Sequence, residues 1–318
     1  MDKRFKKIIS IILGILFLIF LIFLPTILIE GMVQSVKLGV KIKNAGENYN
    51  KQPPPIATIE PIEKELFFHF YPGSKTYSLA ATEQDLECTD CKEKANREPP
   101  AQVIAEASAS GAVIFSSVCP DSAAACNYAF ELARLAKQKN LSTALSYDGC
   151  LSTEILKKII PAFDAVKIEL GNLQNNYCQK ITGTPVAAAL ENIKAVVGAN
   201  KHLEISYVLN PANAADEEIN KFLAALKENV GAEAIIHFSG AANEGQAVSM
   251  EIIKHARDLA LNTGFKYAYT GGINYPEGEN TYCADGSIAL QRQNYYLIKN
   301  NLKDGVCSDG SVIPGIWQ

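Results

Sequence analysis

The chain has 318 residues, 48% of them hydrophobic and 20% charged, with a formal net charge of -4. That balance is globular rather than disordered, and its mild acidity gives no reason to expect a nucleic-acid partner. The hydrophobic fraction is uneven, with one dense block near the start.

Residues 8–29 read IISIILGILFLIFLIFLPTILI, without a charge. As a helix this run is long enough to cross the roughly 30 Å hydrocarbon layer. It exceeds the about 7–15 residues of a signal-peptide core and no small-residue cleavage site follows, so an uncleaved single-pass anchor in the lipid bilayer is expected. Lys3, Arg4, Lys6 and Lys7 make residues 1–7 a basic flank. The positive-inside tendency keeps such a flank cytoplasmic and places the remainder outside the cell membrane. Lys37, Lys41 and Lys43 follow soon after and weaken that asymmetry. Residues 30–55, with GENYNKQPPP, read as an exposed linker with a stiff proline tip.

From residue 56 onward, short β-rich runs alternate with helical ones. Strands are expected at 77–81, 112–117, 142–147, 165–169, 203–209 and 234–238, with a further short one at 266–270. Helical spacing covers 123–139, 153–160, 185–198, 217–230 and 250–262. This alternation argues for parallel βα units and an α/β fold, a partial (β/α)6 TIM-like barrel over residues 56–272. A dinucleotide-binding sheet is the competing arrangement, but no G-x-G-x-x-G follows the first strand. Residues 273–318 form a C-terminal cysteine-bearing extension. Its two turns, TYCADGS and GVCSDGS, read like zinc knuckles with half of their ligands gone.

The chain has 8 cysteines, all beyond the linker. Cys88 and Cys91 keep a C-x-x-C spacing, and Gln84 stands where a C-x3-C-x2-C cluster loop would place its first cysteine. Three readings of the pair stay open: a disulfide, a thiol–disulfide exchange couple and a metal site. The acidic neighbours Glu87, Asp90 and Glu93 oppose the lowered thiol pKa that exchange requires. Among the four histidines, His237 ends a strand at the expected mouth and is the candidate pocket residue, set against a core role. His69, in FFHFYPG, reads as structural, and His202 and His255 as solvated surface residues. No Ser-His-Asp order, HExxH or phosphate loop is present. Asn280 and Arg292 are candidates to cap or bridge the tail. Asn140-Leu141-Ser142 is a lone glycosylation sequon, relevant only to a domain outside the cytoplasm.

Several strings carry a resemblance: PIEKELFFHFYPGS at 61–74, the loop at 78–91, HFS at 237–239, EGENTYC at 277–283, NNLKDGVC at 300–307 and IPGIW at 313–317. Together they resemble the AmmeMemoRadiSam-system radical SAM enzymes, relatives of pyruvate formate-lyase activating enzymes, over about residues 56–318. The resemblance implies a partial (β/α)6 barrel whose carboxyl mouth holds a [4Fe-4S] cluster and S-adenosylmethionine. Its three cluster cysteines fall on Gln84, Cys88 and Cys91, and three are the fewest that leave one iron open to the cofactor. A Glu-Pro after the second strand falls on Cys119-Pro120. A Thr-Asn-Gly-Tyr string after the third falls on Tyr147, Asp148, Gly149 and Cys150. The lysine of Asp-Leu-Lys after the fourth falls on Gly171, and the arginine after His-Phe-Ser on Gly240. Each C-P-x-C-G knuckle keeps one cysteine, Cys283 or Cys307.

Losses at cluster, cofactor and knuckle positions together imply a degenerate, membrane-anchored member. No cofactor and no metal are then expected, and the role becomes binding or scaffolding of an unidentified protein or small molecule. Outside the cytoplasm, cysteines serve better as disulfides. The resemblance gives Cys283 and Cys307 positions that would share one metal, so they are expected to pair. Cys88 with Cys91, Cys119 with Cys126 and Cys150 with Cys178 are local candidates whose connectivity stays open. Three other readings remain: a divergent radical SAM enzyme holding a cluster with Cys88, Cys91 and Cys119; a zinc site of Cys88, Cys91, Cys119 and Cys150; and an exchange protein using Cys88 and Cys91.

Overall fold

Seven parallel strands follow one another across a single sheet in chain order, each hydrogen-bonded to the next. The computed structural model describes residues 57–80, 98–119, 123–149, 151–171, 185–241 and 247–317. The expected anchor at 8–29, its flank, the linker, and Gln84, Cys88, Cys91, Pro120, Cys150 and Cys178 lie outside these residues. No helix among the described residues is long and apolar enough to cross a membrane.

The parallel strands are β2 (Lys75–Leu79), β3 (Ile114–Val118), β4 (Ser142–Tyr147), β5 (Ala165–Leu170), β6 (His202–Leu209), β7 (Ile235–Gly240) and β8 (Tyr267–Thr270). An eighth strand, β1 (Ala57–Pro61), runs antiparallel to β2 at the edge of the sheet. Between them lie α1 (Pro100–Ala109), α2 (Ala123–Gln138), α3 (Thr153–Ile159), α4 (Pro185–Gly198), α5 (Asp216–Val230) and α6 (Met250–Asn262). The expected six-strand barrel is therefore corrected to seven parallel strands plus β1. β1 and α1 were not expected from the sequence.

Alternate residues of a strand point to opposite faces. One set here is apolar: Val166, Ile168, Ile205, Leu209, Ile236 and Phe238 pack against Leu156, Ile193, Leu223 and Ile253 of the helices in one buried cluster. The other set is small or polar, including Ser78, Ser116, Ala144, Ser146, Lys167, Glu204 and Ser206, all buried. Such a surface cannot close on itself without a filler. The filler is the segment 62–71, where Ile62, Phe67 and Phe70 pack on Ile114, Ala144 and Ala165 near the amino ends of the strands.

The extension covers this end. It contains α7 (Pro276–Glu279) and a three-stranded antiparallel sheet of β9 (Thr281–Tyr282), β10 (Ile288–Gln293) and β11 (Tyr296–Asn300). Phe68, Ile235, Tyr267 and Tyr269 share a buried cluster with Cys283, Ala289, Cys307 and Ile313.

Three helix-to-strand turns use one device. After α2, α4 and α6, the residues Asn140, Asn200 and Gly264 take positive φ, 59°, 55° and 92°. In each turn the next amide bonds back five residues: Leu141 to Ala136, Lys201 to Val196 and Phe265 to Ala260. This is a Schellman ending, which requires the left-handed conformation that Gly and Asn adopt most readily.

Gly171, just past β5, has φ +121°. A Cβ there would run into the main chain of Val208, and Asn210 Nδ2 donates to its carbonyl at 2.7 Å. Strand β6 thus passes too close for any other residue. Gly171→Ala should lose about 1–3 kcal/mol from backbone strain alone, measured as a lower midpoint in denaturant unfolding. An unchanged midpoint would show that the two strands can separate freely here.

Candidate functional site

Ligands of parallel α/β sheets collect at the carboxyl ends of the strands. The structure places Cys119, Asp148, Gly171 and Gly240 there, immediately after β3, β4 and β5 and at the last residue of β7. Cys119 is buried and joined to Cys126 of α2, with a Cα separation of 4.9 Å. In that form its sulfur offers no thiolate to iron or zinc, which contradicts its use as a third cluster ligand or a zinc ligand. Gly171 and Gly240 carry no side chain. Gly240 sits under Val248 and Ile253, within ordinary contact distance of a Cβ placed on it. The described positions to which the resemblance assigns a glutamate, a lysine and an arginine thus present a disulfide and two glycines, none of which supplies the charged group that the resemblance implies.

The densest polar constellation lies at the opposite end, around Glu204. Its carboxylate is wholly buried. Oε2 accepts from Phe68 N at 2.8 Å and His237 Nε2 at 2.6 Å. Oε1 accepts from His69 N at 2.8 Å and His202 Nε2 at 2.9 Å. Burial works to raise its pKa, but the hydrogen bonds from His202 and His237 prevail and hold it well below the usual carboxylate range. His237 is itself driven down by burial, despite the carboxylate beside it. The pair is therefore a carboxylate and a neutral imidazole donating from Nε2. His237 Nδ1 is buried and has no partner among the described residues.

Of the two readings of His237, the structure gives the core one: it is fully buried, edge-on to Phe68 and stacked on Tyr269. One sequence expectation is corrected. His202 is not a solvated surface group, because its ring is 7% exposed and stacks on Phe70. His255 does lie at the surface, paired with Asp216 at 2.9 Å.

A second chain of bonds has a determined direction. Arg292, buried within β10, donates to Phe68 O, Glu279 O and Thr281 Oγ1 at 2.6, 3.0 and 2.9 Å. Thr281 Oγ1 therefore gives its own proton to Tyr269 Oη, 2.9 Å away. His69 Nδ1 lies 2.6 Å from the carbonyl of Pro314 and must donate to it. His69 Nε2 then accepts from Tyr269 Oη at 2.6 Å. Burial lowers the His69 pKa from 6.5 to about 3, as this neutral tautomer requires. Asn280 joins the same network, accepting from Arg292 N at 2.7 Å.

Lys167, opposite Glu204 on β5, donates from Nζ to Glu65 O at 2.6 Å and to Glu169 at 2.9 Å. Burial pulls its pKa down, but the carboxylates of Glu169 and Glu65 outweigh it and hold the ammonium above the ordinary lysine range. Nearby, the hydroxyls of Thr76, Ser78 and Ser146 are buried without partners. Glu204 and Lys167 were not singled out from the sequence. The available signal was a charge inside a largely apolar strand run, Lys167 in AVKIE and Glu204 in LEISYVL.

In the extension, the two cysteine turns are near copies. Cys283 N donates to Ser287 O at 2.8 Å, as Cys307 N does to Ser311 O at 2.9 Å. Asp285 and Asp309 each accept from the backbone and hydroxyl of the serine two residues on. Cys283 and Cys307 are joined across the pair, with Cα atoms 6.0 Å apart. Asp309 is the one further ligand-type group near these sulfurs among the described residues. The mates expected in each knuckle are Gly286 and Gly310, at φ +83° and +84°. Two joined sulfurs and two glycines do not make a zinc site.

No family model matches the chain. Uncharacterized protein MJ0808 of Methanocaldococcus jannaschii is 24% identical over 253 residues, which cover 74% of this chain and 75% of that protein. Among solved structures, the chain is similar to a domain of pyruvate-formate lyase-activating enzyme from Bacteroides vulgatus at 19% identity and TM-score 0.38, over 46% of this chain and 91% of that one. Streptococcus suis SuiB gives 15% and 0.42, over 61% and 48%. Deoxyribose phosphate aldolase from Aeropyrum pernix gives 11% and 0.37, over 64% and 77%. These likenesses are too loose to place the chain in a family. Its α/β character rests on its own mostly parallel sheet.

Glu204→Ala would leave four donors buried and unpaired, a loss of about 3–5 kcal/mol, read by denaturant unfolding. The same constellation makes the domain acid-sensitive. The Glu204 contribution is complete above the unfolded carboxyl pKa and is lost as pH falls through its depressed folded value. His69 acts in the same direction. Below 6.5 the unfolded chain takes up a proton that the folded one refuses until about 3, so stability falls across that interval. The melting temperature should drop between pH 7 and pH 4, and a flat profile would contradict the neutral assignment of His69.

The two disulfides should differ in worth. Sequence separations of 24 and 7 residues correspond to about 3.5 and 2.5 kcal/mol of loop entropy. Cys307→Ser should therefore destabilise more than Cys126→Ser in the same titration, and the reverse order would overturn the ranking.

Proposed function

We propose that this chain is a single-pass membrane protein whose radical-SAM-like barrel has lost [4Fe-4S] and S-adenosylmethionine chemistry and serves as a binding or scaffold module outside the cytoplasm. The observation that carries this is the state of the sulfur atoms. Cys119, at a position the resemblance gives to a cofactor-holding carboxylate, is bonded to Cys126. Cys283 and Cys307, at positions it gives to a shared metal, are bonded to each other. Disulfides persist in oxidising compartments and are rare in the reducing cytosol that would supply a cluster with electrons. The proposed side of the membrane and the proposed loss of chemistry thus support one another. The anchor at residues 8–29 and its basic flank supply the topology.

The partner surface belongs to the outside of the domain and its carboxyl mouth, since the amino half of the barrel is packed with the chain's own aromatics. The domain is expected to act by what it holds in place. Two assays on one preparation decide the matter. Denatured without reductant, the full-length protein should show almost none of its 8 cysteines as free thiols. After anaerobic reconstitution with iron and sulfide it should retain no stoichiometric iron. Abundant free thiols together with bound iron would replace this reading with a divergent cluster enzyme.

A further inference from the structure

We propose that Asn140 is an N-glycosylation site of the mature protein, an inference that rests on the extracytoplasmic reading above. The sequon Asn140-Leu141-Ser142 occupies the turn between α2 and β4. This turn opens at the amino edge of the sheet, on the side away from the carboxyl mouth. Asn140 is exposed, with Lys137, Gln138 and Lys139 exposed before it. A glycan on this exposed turn leaves the mouth clear.

Turn geometry accounts for the asparagine but not for the sequon. The Schellman endings after α2, α4 and α6 place Asn140, Asn200 and Gly264 in the same left-handed position. Two residues further on stand Ser142, His202 and Lys266. Only the first turn carries the hydroxyl that an N-x-S/T acceptor needs, and the turn itself works without it. Neither the Asn140 side-chain amide nor the Ser142 hydroxyl has a hydrogen-bond partner among the described residues. Only their backbone amides are engaged, Asn140 N to Lys137 O at 3.1 Å and Ser142 N to Val113 O at 3.0 Å. Both side chains are therefore free of any structural duty that would forbid modification.

The chemistry balances with a polyprenyl-phosphate-linked oligosaccharide as co-reactant, presented on the outer side of the membrane. Asn140 Nδ2 attacks the anomeric carbon. A C–N bond forms, the C–O bond to phosphate breaks, the polyprenyl phosphate departs with the electron pair, and the amide proton passes to base.

The test uses full-length protein from membranes of its native host. Glycopeptide mass spectrometry is read on the tryptic peptide 140–157, and protease accessibility of the domain in sealed cells is measured in parallel. The expected result is an accessible domain with a hexose-containing adduct on Asn140, lost in Ser142→Ala and kept in Ser142→Thr. Ser142→Ala is the informative variant because it spares the left-handed asparagine and hence the turn. An accessible domain with an unmodified peptide overturns the inference while leaving the scaffold reading intact. An inaccessible domain overturns both. An adduct that survives Ser142→Ala overturns the sequon assignment.

Discussion

The fold depends on one buried carboxylate. Glu204 has no contact with water, and an isolated charge so placed is untenable. It is stable here because four donors converge on it, two imidazoles and the amides of Phe68 and His69. The two amides belong to a segment more than a hundred residues away in the chain, so the carboxylate fixes that segment in the barrel at one position and depth. A hydrophobic filler alone could slide, since Phe67, Phe68 and Phe70 differ little in size or chemistry. The charge converts a greasy plug into a registered one.

Arg292 makes the complementary contact from the other side. Its guanidinium reaches Phe68 O, so the same peptide segment is held through its amides by an anion and through a carbonyl by a cation. The Arg292–Glu63 contact adds little: Nε and Oε1 are 3.5 Å apart, and burial pushes the Glu63 carboxyl up despite the arginine. What matters is the ordered path from Arg292 through Thr281 and Tyr269 to His69 and Pro314. Every hydroxyl on it has one direction to donate, because a guanidinium stands at one end and a carbonyl at the other. Barrel, plug and extension therefore behave as one body at this end.

Much of the sheet was legible because its strands are buried on both faces and broken by amphipathic helices. The runs at 142–147 and 203–209 match β4 and β6 to within a residue, and the helical spacing at 185–198 and 250–262 matches α4 and α6. β1 escaped because it is a five-residue edge strand ending in proline, with too little alternation to read. α1 escaped because PAQVIAEASA is alanine-rich with a weak apolar stripe. The hairpin of β10 and β11 escaped because Asn294 and Tyr295, both at positive φ, replace the glycine that marks such hairpins. There Tyr295 is held by its amide bond to Glu279 and by its hydroxyl, which accepts from Gly272 N. The role of Glu204 was invisible for a different reason. Its meaning lies in contacts across 135 and 136 residues, and no local pattern encodes those. Histidine positions failed the same way: His202 beside charged residues reads as surface, and only the barrel closing over it makes it core.

The arrangement also bears on the proposed loss of cluster chemistry. In barrels of parallel strands, stability concentrates at the amino end and reactivity at the carboxyl end. Here the buried ions, the aromatic plug, the directed hydroxyl chain and one disulfide all lie at the amino end or in the extension covering it. The positions that differ from the radical-SAM pattern, Cys119, Asp148, Gly171 and Gly240, all lie at the other. Substitutions at the mouth therefore leave the base closed. Gly171 is the telling case. A lysine there would have to fit against the Val208 main chain, so the glycine lets β5 and β6 draw together. Under the proposed loss of cluster chemistry, such a change tightens the scaffold at no functional cost.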